Sequence, residues 1–207
     1  MKISYDSDVD ALYIRFTDKA TQVKTQRLTE DIAVNYGPKG DVVGIDCGVF
    51  YKGFHTDMAQ TIRINDKGLR MKEDKTDRFL EIGKRALMEA IKAARVGNRV
   101  GDISKTIQEI IEGAGYSVVR SLVGHGVGRD LHEEPEVPGF LRGKIENTPL
   151  LCEGMTIAIE AIYNMGKKDV AYSNTDGWTI KTKDNSSSGL FERTVVVTNS
   201  GSVVLTQ

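Results

Sequence analysis

The sequence predicts an α+β fold, because short alternating runs at the amino end give way to two helical patterns and then to strand-and-loop sequence. That order places the helices over one face of a sheet. With 207 residues and 40% hydrophobic composition the chain can bury a real core, and one main domain with one small companion is expected.

Taken in order, residues 11–16 alternate Leu12, Ile14 and Phe16 with Tyr13 and Arg15, and residues 31–36 form a second short extended run. A polar stretch, 17–30, separates them. Gly37-Pro38-Lys39-Gly40 supplies turn chemistry before an apolar run at 42–49. Residues 49–64 then fold back through a turn near Lys52-Gly53, so His55, Asp57 and Ala59 fall on one face of the return strand. Phe79, Ile82, Ala86, Leu87, Ala90, Ile91 and Ala94 keep helical spacing, as do Ile103, Ile107, Ile110 and Ile111. Gly97 and Gly113 to Gly115 terminate these helices. Strands are expected at 117–120, 155–163, 178–181, 192–198 and 203–206, with a long Gly- and Pro-containing loop over 124–149.

Composition narrows the function classes. Lysine and arginine number 28 against 29 acidic residues, so no net field draws the protein to nucleic acid or an anionic membrane. Cys47 and Cys152 form no Cys-x-x-Cys pair, which argues against a disulfide framework or zinc knuckle and suits the reducing cytoplasm. No apolar signal core follows Met1 and Lys2, and no apolar run reaches the length of about 18 residues needed to span a bilayer. The expectation is a cytoplasmic protein with no membrane partner.

Four acids sit where acids are expensive. Asp46 lies inside Val43-Gly44-Ile45-Asp46-Cys47-Gly48-Val49, an apolar strand in which an unpaired carboxylate is costly to bury. Asp57 stands on the return strand of the same hairpin, so both carboxylates can converge on one cation. Glu160 ends Thr156-Ile157-Ala158-Ile159-Glu160, and Glu192 opens Glu192-Arg193-Thr194-Val195-Val196-Val197. His125, between Gly124 and Gly126, adds an imidazole where the backbone can bend close. Taken singly, a strand carboxylate is often a salt-bridge partner or faces solvent, and a Gly-His-Gly triplet is often only a loop. Together the five point to a metal site.

The segment Ile45-Asp46-Cys47-Gly48-Val49-Phe50-Tyr51-Lys52-Gly53-Phe54-His55-Thr56-Asp57-Met58-Ala59 resembles the first metal hairpin of methionine aminopeptidases. Gly124-His125-Gly126-Val127-Gly128-Arg129 with Leu131-His132-Glu133-Glu134-Pro135 is similar to the family's histidine segment. Gly154-Met155-Thr156-Ile157-Ala158-Ile159-Glu160 resembles the third motif, and Asp176-Gly177-Trp178-Thr179 with Phe191-Glu192-Arg193-Thr194 the last. The resemblance implies a pita-bread fold, amino-terminally truncated, around two divalent ions. It implies that Asp46 and Asp57 hold one ion, Asp57 with His125 and Glu160 the other, and that Glu192 bridges both. Glu160 would also move the catalytic proton, His132 would steady the scissile amide, and Trp178 would lie near the substrate side-chain pocket. Manganese, iron, cobalt and zinc all suit an oxygen-rich site with one histidine.

The resemblance covers residues 45–198 and weakens before them. Family members carry a helical segment and a further active-site histidine ahead of the first metal aspartate. Here the residues before Asp46 match neither, and His55, His125 and His132 all belong to later motifs. Ala161 stands where proline is usual, Leu131 where an aromatic is common, and Arg193 where histidine is common. Ile3-Ser4-Tyr5-Asp6 with Val9-Asp10-Ala11-Leu12-Tyr13-Ile14 instead resembles a small prokaryotic domain family of unknown function. The expected organisation is a small β-rich domain at 1–44, fused within a strand to an aminopeptidase-like domain at 45–207.

The expected function is removal of the amino-terminal methionine from peptides and nascent proteins, with the ribosome as a candidate partner. X-Pro cleavage is one rival. The other is a catalytically impaired module that binds metal and peptide termini or a protein partner. A missing amino-terminal cover would expose apolar sheet surface, which makes a homodimer a further expectation.

Overall fold

The computed structural model describes residues 2–6, 11–15, 24–27, 33–36, 42–63, 74–172 and 180–206. Two compact units emerge, residues 1–43 with 63–71 and residues 44–62 with 72–207. The first contains two antiparallel pairs, β1 (Lys2–Asp6) with β2 (Ala11–Arg15) and β3 (Lys24–Arg27) with β4 (Ala33–Tyr36). The sequence pattern missed both β1 and β3. Lys24-Thr25-Gln26-Arg27 has no apolar residue to alternate, so backbone pairing with β4 is its only strand signature.

The second unit is built from β5 (Val42–Tyr51, whose first two residues fall in the first unit) and β6 (Phe54–Arg63), then α1 (Lys75–Ala93) and α2 (Val100–Gly113). The chain continues through β7 (Ser117–Val118), β8 (Gly124–Gly126), β9 (Glu133–Val137), a 3₁₀ turn (Ile145–Asn147) and β10 (Thr156–Asn164). It closes with β11 (Val170–Tyr172), β12 (Ile180–Thr182), β13 (Ser188–Thr198) and β14 (Gly201–Val204). One sheet runs in the order β5-β6-β13-β10-β8-β9, with β14 beside β13 and β7 beside β10. Its two central strands, β10 and β13, are antiparallel and put Glu160 directly opposite Glu192.

Both helices appear where the spacing predicts them. Asp74 opens α1 by accepting from the amides of Thr76 and Asp77 at 2.8 and 3.2 Å, while the Asp77 carboxylate accepts from the amide of Asp74. The α1 stripe of Phe79, Ile82, Ala86, Leu87, Ala90 and Ile91 is buried, as are Ile103, Ile107 and Ile111 of α2. These meet Ile157, Ile159, Tyr163, Phe191, Val195 and Val197 of the sheet in one core. Helices therefore cover a sheet face, in keeping with the α+β expectation.

The strand expected at 117–120 shortens to Ser117–Val118, β11 falls outside the expected strands, and three further strand expectations need correction. Residues 124–149, read as a loop, contain β8 and β9, because Gly124 and Gly126 are strand glycines and not loop glycines. A Cβ at Gly124 would collide with the Ala158 carbonyl oxygen, and one at Gly126 with that of Glu134, so bare backbone is what lets β8 enter the sheet. β13 begins at Ser188, ahead of the expected 192, since Ser188 and Gly189 pair with Asn164 and Tyr163 despite their turn-like composition. The final strand, expected at 203–206, is Gly201–Val204.

Gly83 sets how closely α1 approaches the sheet. A Cβ there would lie 2.6 Å from Tyr163 Cε1 and 2.7 Å from Phe191 Cδ2. Gly83→Ala should therefore destabilise the fold by about 1–3 kcal/mol through overpacking, despite the better helix propensity of alanine. Urea unfolding checks this, and a midpoint at or above wild type would show that the two rings yield.

Candidate metal centre

The five expected ligands come from five different strands. Asp46 lies on β5, Asp57 on β6, His125 on β8, Glu160 on β10 and Glu192 on β13. Three registers align four of them. Glu160 pairs with Glu192 across β10 and β13, and Glu192 pairs with Ala59, two residues beyond Asp57. His125 pairs with Ala158, two residues before Glu160, so strand alternation returns both side chains to one face.

The side-chain atoms converge accordingly. One potential ligand atom from each of Asp46, Asp57 and Glu192 falls in a group spanning no more than 4.8 Å, and the same holds for His125, Glu160 and Glu192. Asp57, His125 and His132 make a third such group. His132 is exposed, and its ring centroid lies 4.3 Å from that of His125. Trp178 lies outside the described residues.

The site is short of positive charge. Asp57, His125 and Glu192 are 8%, 8% and 3% exposed, and Asp57 Oδ1 is buried with no hydrogen-bond partner among the described residues. Such an orphan costs free energy unless something outside the chain satisfies it. His125 Nδ1 lies 2.9 Å from the Gly126 carbonyl oxygen, and if it donates there the Nε2 lone pair is left free. Nε2 sits 3.9 Å from Asp57 Oδ2. That is too long for a hydrogen bond, yet suits two donors sharing an ion at about 2 Å from each.

Acid strengths carry the same message. Burial, then the charges of Asp46 and Asp57, push Glu160 up to about 7 from 4.5. Burial, then Glu160, Asp57 and Asp46, push Glu192 up to about 9, with Arg193 only partly offsetting them. Asp46 is also raised, by withdrawal of its carboxyl from water and then by the neighbouring Asp57. Hard oxygen donors with one imidazole, crowded and starved of cations, fit divalent metal.

Arg193 does not enter the cluster. Its guanidinium donates to the carbonyls of Glu192 and Ala59 at 2.7 and 3.2 Å and to Gln60 Oε1 at 2.9 Å, tying β13 to β6. Leu131 lies over the hairpin, its Cδ1 3.5 Å from where a Cβ on Gly48 would stand. One residue quoted only within a motif proves central: the buried Thr194 hydroxyl bonds the backbone of Asp57. A polar residue opening the apolar run Val195-Val196-Val197 was its only signal in the sequence.

Known proteins bear on this geometry. The profile of metallopeptidase family M24 matches residues 22–199. A methionine aminopeptidase of Clostridium perfringens is 42% identical over 167 residues, covering 81% of this chain and 64% of that protein. One from Aquifex aeolicus is 42% identical, with 82% and 63% covered. The chain thus spans less than two thirds of these relatives' length. Among solved structures, a methionine aminopeptidase from Thermotoga maritima superimposes with a TM-score of 0.75 at 37% identity, over 81% of this chain and 64% of that one. A prolidase from Pyrococcus furiosus gives 0.60 at 27% identity, over 87% and 45%.

The raised acids fix a pH dependence for the metal-free protein. Folded-state values near 7 for Glu160 and near 9 for Glu192 exceed the ordinary 4.5, so stability present below that value is lost as pH rises through each. With EDTA present, the thermal midpoint should fall from pH 5 to pH 9. Manganese or cobalt should raise it most at the alkaline end, where the ligands ionise and bind. Glu192→Gln should flatten the upper part of the fall and blunt the metal response. A midpoint in EDTA that is level or rising between pH 6 and pH 9 would contradict this electrostatic picture.

Proposed function

The chain belongs to metallopeptidase family M24, and on that premise we propose that it is a divalent-metal aminopeptidase releasing methionine from the amino terminus of peptides and nascent proteins in the cytoplasm. One observation carries the reading: Glu160 and Glu192 stand directly opposite each other, and the buried Asp57 and His125 and the exposed Asp46 converge on them. Relatives named methionine aminopeptidase support the choice of substrate over the more distant prolidases.

In this reading Asp46 and Asp57 would hold one ion and Asp57, His125 and Glu160 a second, with Glu192 a ligand for both. Paired divalent ions supply Lewis acidity that activates water and steadies charge developing on a peptide carbonyl oxygen. Glu160 would accept at its carboxylate the proton that the attacking water releases and hand it to the departing amine. His132 stands against His125, and its exposed ring offers a contact to the scissile amide. Trp178 is assigned to the substrate side-chain pocket. Residues 1–44 are read as a separate small β-rich domain, while ribosome docking and homodimer formation belong to the same proposal.

Methionine release from a Met-Ala-Ser peptide with added manganese or cobalt tests the reading. Asp57→Ala should cut release by at least about a hundredfold, since even supporting groups around a metal cost about 10–100-fold. An Ala-Pro peptide should remain intact. Its cleavage would move the assignment to X-Pro specificity, and metal binding without methionine release would make the chain a binding module.

A further inference from the structure

The β6–β13 ladder pairs Gln60 with Phe191, Ala59 with Glu192 and Met58 with Arg193, and ends there. The next position would set Asp57 opposite Thr194. But the backbone of Thr194 is committed elsewhere: its amide donates to Thr206 Oγ1 at 3.0 Å and its carbonyl accepts from the Leu205 amide at 2.9 Å. The Thr194 hydroxyl takes over the ladder's task. It accepts from the Asp57 amide at 2.8 Å and donates to the Asp57 carbonyl at 2.8 Å. Thr194 is 1% exposed and Asp57 8%, so neither backbone group of Asp57 has ready access to water as a substitute partner.

We propose that Thr194 is a positioning residue for the metal centre, its hydroxyl fixing the backbone of Asp57 and thereby the direction in which that carboxylate enters the site. The inference rests on the metal-centre reading given above. Asp57 belongs to two of the three convergent groups, so a small rotation of its backbone misplaces a ligand to both. A hydroxyl is suited to the task because it donates and accepts at one atom. Valine would fill nearly the same volume and leave two buried backbone groups unpaired.

Titration calorimetry of the full chain with manganese decides the matter. Thr194→Val should weaken affinity by about tenfold or more, in the range of groups that orient metal ligands, whereas Thr194→Ser should stay within about threefold of wild type. Thermal midpoints do not separate the two, because serine loses a buried methyl while valine loses the bonds. Unchanged affinity in a folded Thr194→Val protein would overturn the role of Thr194 alone. Absence of manganese binding by the wild type would remove the metal centre and this inference with it. If the valine variant does not fold, hydrogen exchange of wild-type protein in EDTA takes its place. The Asp57 amide should then exchange as slowly as its ladder neighbours, and exchange at the rate of a solvent-exposed amide would overturn the proposal.

Discussion

Glu160 and Glu192 face each other across neighbouring strands in the middle of a sheet, with two aspartates beside them. Like charges directly opposed on a sheet destabilise it, and burial makes the opposition worse. Arg193, the residue after Glu192, spends its guanidinium on backbone carbonyls and Gln60 and relieves the site only partly. The rest of the structure is arranged around this unrelieved negative charge. Five strands each deliver one candidate ligand, and registers, not loops, set the spacing of four of them. A site held by paired strands is stiff, and stiffness is what a metal site needs in order to act on water and not merely to bind.

The packing beneath the sheet serves the same end. Gly83 lets α1 press onto Tyr163 and Phe191, and the Tyr163 hydroxyl donates to the Phe79 carbonyl, locking helix to strand. Phe191 is the immediate neighbour of Glu192, so the helix contact and the ligand share one strand. On another side Gly124 and Gly126 admit β8 to the edge of β10 and bring His125 within 3.9 Å of Asp57. The third support is Thr194, whose backbone belongs to the carboxyl-terminal segment and whose side chain belongs to Asp57. Core packing and ligand placement are therefore one construction.

Much of this was legible in the residues. Carboxylates inside apolar strands signalled the site, and for Asp57 and Glu192 the cost of burying a charge is the reason; Asp46 differs, being exposed on a strand that is open to solvent at most positions. Helical spacing from Phe79 to Ala94 signalled α1, and Ile103, Ile107 and Ile111 signalled α2. The glycines and serines misled. Gly124, Gly126 and Gly189 read locally as loop, yet they lie in strands where close neighbours leave little room for a side chain, and the exposed Ser188 joins β13 by pairing with Asn164. Thr194 could not be singled out either, since one hydroxyl in a β-branched run is ordinary until its partner across the sheet is known. β3 stayed hidden for the opposite reason, having no apolar pattern to detect.

Anomalous scattering from crystals grown with manganese tests the central claim most directly. The account predicts two peaks enclosed by Asp46, Asp57, His125, Glu160 and Glu192, with a carboxylate of Asp57 and of Glu192 touching both. A map without a peak in that ring, or with manganese bound only elsewhere on the protein, would contradict it.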